Sequence, residues 1–100
     1  MNLTKEDRNS LASAINGATF YETERVINGS AFTESGLTPT GQSKAERAKK
    51  VREKAAERLA LMHIRLRPAK ADEHMCESVV NQCIKQLDEF IAAHTPLEQG

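Results

Sequence analysis

The chain has 100 residues, of which 39% are hydrophobic and 28% charged, and it carries no net charge at pH 7. This composition excludes a disordered chain and predicts one globular domain. Only four residues are aromatic, so the core must be aliphatic, which favours packed helices over a sandwich or barrel. The sequence contains no apolar run near the roughly 20 residues of a membrane helix and no signal-peptide pattern at its start. We therefore expect a cytoplasmic protein with reduced cysteines.

The neutral total conceals three blocks of charge. Residues 1–43 carry three basic and five acidic side chains, and residues 44–70 carry ten basic and three acidic ones. Residues 71–100 carry one lysine against six acids. Such an uneven distribution predicts either pairing between the blocks or binding of a charged partner.

Two short helices are predicted in the first 29 residues. Thr4 can cap a helix over about residues 5–16, and Gly17 follows as a stop. Residues 19–22, Thr-Phe-Tyr-Glu, match a capping box, in which the hydroxyl and the carboxylate each accept from a free backbone N–H. This box predicts a second helix over about residues 20–27.

A loop and a helical hairpin follow. Residues 30–42 are rich in Gly, Pro, Ser and Thr and lack periodicity, which predicts a loop that Phe32 and Leu37 could anchor. Helices over about residues 44–66 and 73–94 are separated by so short a link that we expect them to pack antiparallel. The last six residues are expected to form a tail.

Caps and apolar stripes define the two helices of the hairpin. Ser43 and Glu46 match a capping box, and Asp72 can cap the last helix. The stripe of the first helix comprises Ala48, Val51, Ala55, Leu59, Met62 and Leu66. The stripe of the second comprises Cys76, Val80, Cys83, Leu87, Phe90 and His94, widened by Met75, Val79, Ile84 and Ile91. Because this second stripe is wider than one partner helix requires, either the N-terminal helices or a second copy, in a homodimer, should cover it. The predicted fold is all-α, with the two short helices packed across the hairpin in a single domain of residues 1–100.

Two histidines and both cysteines lie between His74 and His94, which raises the question of a metal site. Cys76 and Cys83 are two turns apart, about 10 Å along the helix, so one zinc ion cannot bridge them and no disulfide can join them. His74 points to a different face from Cys76. We therefore interpret both cysteines as core residues and expect no metal or cofactor.

Catalytic and DNA-reading motifs receive little support. His63 has no nucleophile or orienting partner placed by the sequence, so no catalytic residue is assigned and we expect a protein that is not an enzyme. A helix-turn-helix over residues 9–27, with Gly17 in the turn, would present two glutamates and one arginine on its reading helix, which phosphates would repel.

The third predicted helix carries a basic ridge at helical spacing: Arg47, Lys50, Lys54, Arg58 and Arg65. The ridge could be a solvated face, or it could pair with the acidic last helix. In an antiparallel hairpin, Arg65 would fall near Glu73 and Glu77, whereas Lys50 and Lys54 would fall near Asp88 and Glu89. An acidic protein surface is the next interpretation, and nucleic-acid phosphate follows it.

The function expected from these features is protein binding. Small helical chains without chemical motifs most often serve as interaction modules, so we expect a regulator or inhibitor acting on a host protein in a bacterial or phage setting, the setting being inferred from size and composition alone. The alternative is a nucleic-acid-binding accessory protein that uses the basic ridge.

Overall fold

The computed structural model describes residues 3–66 and 70–95, and for residues 70–76 it describes only the backbone. This part of the chain contains three α-helices and no strand. Helix α1 spans Lys5–Ile27, α2 spans Lys44–Leu61, and α3 spans Lys70–His94. A π-helical turn, Met62–Leu66, continues α2. The all-α prediction is confirmed, but the number of helices differs from the expected four.

Helix α1 replaces the two short helices that were predicted. It runs through Gly17 without a break, and the expected capping box at Thr19 is absent because the Thr19 hydroxyl donates to the carbonyl of Ile15 at 2.8 Å. A single glycine costs a helix only about 1 kcal/mol relative to alanine. Ala12 on one side of Gly17 and Val26 on the other are both buried, and we attribute the continuity of the helix to this packing. The helix-turn-helix alternative is therefore wrong, since there is no turn at Gly17.

The beginnings of α1 and α2 follow the sequence signals. The Thr4 hydroxyl accepts from the N–H of Asp7 at 3.0 Å. The Ser43 hydroxyl accepts from the N–H of Glu46 at 3.2 Å, and the Glu46 carboxylate accepts from the N–H of Ser43 at 3.4 Å. Both helices therefore begin with reciprocal capping boxes, which satisfy backbone donors that have no partner within the helix.

The hairpin lies close to the predicted boundaries. The helical segment that begins with α2 ends at Leu66, and α3 ends at His94, both as expected. Helix α3 begins at Lys70, so Asp72 lies inside the first turn rather than at the cap. An acidic residue is favourable there as well, because the backbone dipoles leave positive partial charge at a helix N-terminus.

The core joins all three helices in two clusters. One contains Ala12, Ala55, Met62, Leu66 and Val80, and the other contains Val26, Ala48, Val51 and Leu87. The early part of α1 meets the end of α2, and its late part meets the beginning of α2, so α1 runs antiparallel to α2 and parallel to α3. Helix α1 thus covers the stripe of α3 at Val80, Cys83 and Leu87 within one chain, as in the first of the two expected arrangements.

The connection between α1 and α2 is folded into successive turns. Gly29, Gly36 and Gly41 have φ values between +81° and +88°, a region that residues with a Cβ rarely occupy. Phe32 packs against the second core cluster and stacks on Phe90 with ring centroids 6.4 Å apart. The expected anchoring of the loop is therefore confirmed for Phe32, whereas Leu37 is 40% exposed.

Candidate partner-binding surface

The basic ridge is divided by the packing of α1. Arg58 turns toward α1, where its Nη2 donates to the Glu22 carboxylate at 2.8 Å and its Nη1 donates to the Thr19 hydroxyl at 3.2 Å. Its side chain is only 23% exposed. Arg58 therefore belongs to the interface between α1 and α2 and is not available to a partner.

The ion pairs between α2 and α3 differ from the predicted ones. Asp88 accepts from both Nε and Nη2 of Arg52, and Glu77 lies 2.8 Å from Nε2 of His63. The predicted pairing of Asp88 with Lys50 and Lys54 is wrong. Arg52 reaches Asp88, and each lysine is two residues from Arg52, so both lysines lie on roughly the opposite side of α2 from α3.

The predicted ion pairs of Arg65 with Glu73 and Glu77 can be checked only in part. Glu77 pairs with His63 rather than Arg65, and the side chain of Glu73 lies outside the described residues. Glu89, the remaining acid of the predicted pairs, is exposed. Within the part of the chain that the structure describes, neither Lys50 nor Lys54 nor Arg65 forms an ion pair. The described residues therefore do not neutralise the charge of these three side chains.

Two exposed apolar side chains continue the surface beyond the lysines. Leu61 is 38% exposed and Ile64 is 69% exposed, the largest value among the exposed large hydrophobic residues. The spacings from Lys50 to Lys54, Leu61 and Ile64 are four, seven and three residues, which keeps all four on one side of a helix. We call these four residues the outer strip. The apolar part of the outer strip was not predicted from the sequence, although both residues lie off the apolar stripe: Leu61 falls between the stripe positions Leu59 and Met62, and Ile64 between Met62 and Leu66.

Arg47 lies next to the N-terminal end of the outer strip, three residues before Lys50 on α2. It is half-buried and lines an open cleft at the beginning of α2 together with Arg25 from the end of α1. Of the five ridge residues, one is therefore used internally, one lines this cleft, and three remain exposed on α2 and its π-helical turn.

The cysteine- and histidine-containing stretch of α3 serves packing where it is described. Cys83 is 2% exposed and lies beside Thr23 of α1. Burial raises the pKa of its thiol, and the Glu24 carboxylate adds to this rise, while the Thr23 hydroxyl opposes it. His94 stacks on Phe90 with centroids 4.1 Å apart. The core interpretation is confirmed for Cys83, whereas the side chains of His74 and Cys76 lie outside the described residues.

Neither a metal-binding cluster nor a membrane-spanning helix is found among residues 3–66 and 70–95. No group of three or more His, Cys, Asp or Glu side chains there could hold a metal ion. No helix there is long and apolar enough to cross a membrane. Comparison of the chain with protein families, with curated proteins and with solved structures gives no significant match.

Proposed function

We propose that this chain is a non-enzymatic interaction module that binds an acidic segment of another protein through the outer strip. The observation that carries the proposal is the combination, on one side of α2 and its π-helical turn, of two lysines without ion pairs and two exposed aliphatic side chains. Such a module would act as a regulator or inhibitor by occupying a surface of its target.

The apolar and the basic residues of the outer strip would contribute differently to binding. A contact that buries Ile64 and Leu61 removes about 25 cal/mol of unfavourable hydration per Å² of apolar surface, which makes these residues the anchors. Lys50 and Lys54 attract acidic groups during encounter and disfavour basic partners. The partner segment should therefore place apolar residues beside the π-helical turn and acidic residues toward the N-terminal end of α2.

The length of the outer strip limits the partner. Fourteen residues separate Lys50 from Ile64, which corresponds to about 21 Å of helix. An amphipathic partner helix of about four turns matches this length and could lie along α2, with its apolar face toward Ile64.

Nucleic acid is a weaker candidate for the same surface. Phosphate contacts depend on accumulated positive charge, and Arg58 is already paired with Glu22. Glu53 and Glu57 are exposed on α2 among the basic residues and weaken the attraction of this side for any anionic partner, protein or nucleic acid. The difference lies in Leu61 and Ile64, which offer apolar contacts to a protein segment and nothing to a phosphate backbone. We therefore expect no specific complex in a mobility-shift titration near 150 mM salt.

The proposal is tested by site-specific cross-linking in nuclease-treated lysate. A photo-reactive amino acid at position 64 is compared with the same amino acid at Tyr21, which is also well exposed but lies on α1. We expect a defined protein adduct from position 64 alone, and we expect Lys50→Glu with Lys54→Glu in the same chain to abolish it.

A matched charge control accompanies this experiment. Lys5→Glu with Lys85→Glu makes the same change in net charge at exposed positions on α1 and α3, and it should leave the adduct intact. Circular dichroism melting confirms that each variant is folded. Equal adducts from positions 64 and 21, or equal losses with both pairs of charge reversals, would contradict the proposal.

A further inference from the structure

A cleft at the base of the connection between α1 and α2 collects positive charge. It is lined by Arg25, Ala31, Thr38, Pro39, Thr40, Gln42 and Arg47. Two of these seven residues are arginines and none is acidic, so no lining side chain neutralises the guanidinium groups.

Arg25 is held in place by neutral groups. Its Nη1 donates to the Tyr21 hydroxyl at 3.0 Å, and its Nη2 donates to the carbonyl of Ser30 at 3.3 Å. The guanidinium carbon also lies 5.6 Å from the centre of the Tyr21 ring. These contacts orient the side chain at the edge of the cleft without neutralising its charge.

The opposite wall of the cleft is fixed by a tight turn. The Thr38 hydroxyl accepts from the N–H of Gln42 at 3.0 Å and lies 3.1 Å from the Thr40 hydroxyl. The N–H of Thr38 donates to the carbonyl of Gln42, and that of Gly41 to the carbonyl of Thr38, both at 2.9 Å. Thr38 is 8% exposed. The hydroxyl of Thr40 is thereby placed on a rigid support at the edge of the cleft.

Of the two arginines that line the cleft, Arg47 has more hydrogen-bond donors without a partner among the described residues. It is half-buried, and its side chain has no hydrogen bond or ion pair with the described residues. A guanidinium presents five donors in a planar fork that matches the oxygens of a carboxylate or a phosphate. Two guanidinium groups that line one cleft repel each other, and an anion bound between them would offset that repulsion.

We propose that this cleft is an oxyanion-binding site, in which Arg47 and Arg25 hold the oxygens of a carboxylate or phosphate group and Thr40 contributes a hydroxyl. The site adjoins the Lys50 end of the outer strip, since Arg47 and Lys50 are three residues apart on α2, but its occupation does not depend on the proposed function. It is a second binding site of the chain, specific for a compact anionic group.

The test is a nuclear magnetic resonance titration of the full chain at constant ionic strength. Inorganic phosphate, acetate and O-phosphoserine are added separately while the Nε–H signals of the arginines and the backbone amides of Thr40 and Gln42 are followed. We expect saturable shifts at Arg25, Arg47 and these two amides. Tighter binding of O-phosphoserine than of phosphate would identify a phosphorylated side chain as the natural ligand, the reverse order would identify free phosphate, and binding of acetate alone would identify a carboxylate.

Two substitutions separate the site from general attraction between anions and a basic surface. Arg47→Met keeps the apolar stem but removes the donors, and it should weaken binding by about tenfold or more, as expected for the loss of charge-assisted hydrogen bonds. Arg65→Met removes an exposed arginine from outside the cleft and should leave the affinity unchanged. Linear shifts without saturation, equal effects of the two substitutions, or no shift at Arg47 in the unmodified chain would overturn the proposal.

Discussion

The buried face of α1 and the buried faces of the hairpin solve the same packing problem with different residues. The hairpin buries large aliphatic side chains, among them Val51, Met62 and Leu87. Helix α1 buries Thr19 and Thr23, alongside Ala12 and Val26. Small side chains can be buried without a hydrophobic stripe, provided that their polar atoms find partners. The hairpin is therefore stabilised mainly by apolar burial, whereas the stability of α1 also depends on whether its buried polar atoms form hydrogen bonds.

Some buried polar atoms of α1 lack a hydrogen-bond partner among the described residues. The Thr19 hydroxyl donates to a carbonyl of its own helix and accepts from Arg58, so it is fully used. The side-chain oxygen of Asn16 and one carboxylate oxygen of Glu22 are buried without a hydrogen-bond partner among the described residues. The Thr23 hydroxyl is buried beside the Cys83 thiol, a weak hydrogen-bonding group, and makes no hydrogen bond of normal geometry with the described residues. A buried polar atom left unpaired costs about 1–3 kcal/mol. We therefore expect α1 to be the less firmly attached of the two regions.

The largest effect should come from the core of the hairpin. Leu87 is fully buried against Val26, Ala48 and Val51. Leu87→Ala should lower the free energy of unfolding by about 2–5 kcal/mol, through lost burial and the cavity that remains. Urea denaturation measures the change, with Leu11→Ala, at a 43% exposed position of α1, as the control. Similar small losses for both variants would remove the distinction between the two regions.

The two buried threonines of α1 should respond in opposite directions to the same substitution. Thr19→Val removes a hydroxyl that has two partners and leaves Nη1 of Arg58 without one, so stability should fall by about 1–3 kcal/mol. Thr23→Val has nearly the same shape and removes a hydroxyl that has only a weak contact with the Cys83 thiol among the described residues, so stability should stay unchanged or rise. Urea denaturation of both variants checks the pair, and an equal loss at the two positions would contradict this description of α1.

The contrast also explains which parts of the fold could be predicted. Large aliphatic residues at spacings of three and four indicated both helices of the hairpin. Helix α1 gave no such signal, and Gly17 together with the residues around Thr19 matched a helix end and a new beginning. Local signals of about 1 kcal/mol were overridden by packing on both sides of the glycine, which depends on residues more than 30 positions away along the chain.

The candidate partner-binding surface, like the fold, could be predicted from the sequence only in part. Helical spacing correctly indicated that Lys50 and Lys54 share an exposed side of α2. The fate of Arg58 depended on where α1 packs, and periodicity within α2 carries no information about that. The exposure of Ile64 could have been inferred, because it lies off the apolar stripe on the same side as the lysines.

A gain in stability is expected at Gly17. It lies inside α1 with ordinary helical backbone geometry, and a Cβ added there would meet no atom within 4 Å. Gly17→Ala should therefore raise the free energy of unfolding by up to about 1 kcal/mol, because alanine loses less conformational freedom in a helix. Thermal and urea denaturation measure the gain. A clear loss of stability would indicate that Gly17 ends a helix, as the sequence alone predicts.

The smallest effect distinguishes the observed ion pairs of the hairpin from the predicted ones. Arg52 and Asp88 are 42% and 51% exposed, so their interaction is screened by water and should contribute no more than about 1 kcal/mol. A double-mutant cycle with Arg52→Asp and Asp88→Arg should nevertheless give a measurable coupling, since the swapped pair restores attraction after each single change creates repulsion.

The matched cycle with Lys50→Glu and Asp88→Lys should show no coupling, because Lys50 lies on the flank of α2 that faces away from α3. At about 1 M salt, where the screening length is near 3 Å, the first coupling should disappear as well. A coupling confined to Lys50 and Asp88 would mean that the ridge is neutralised within the hairpin. The lysines of the outer strip would then lose the free charge on which the proposed binding depends.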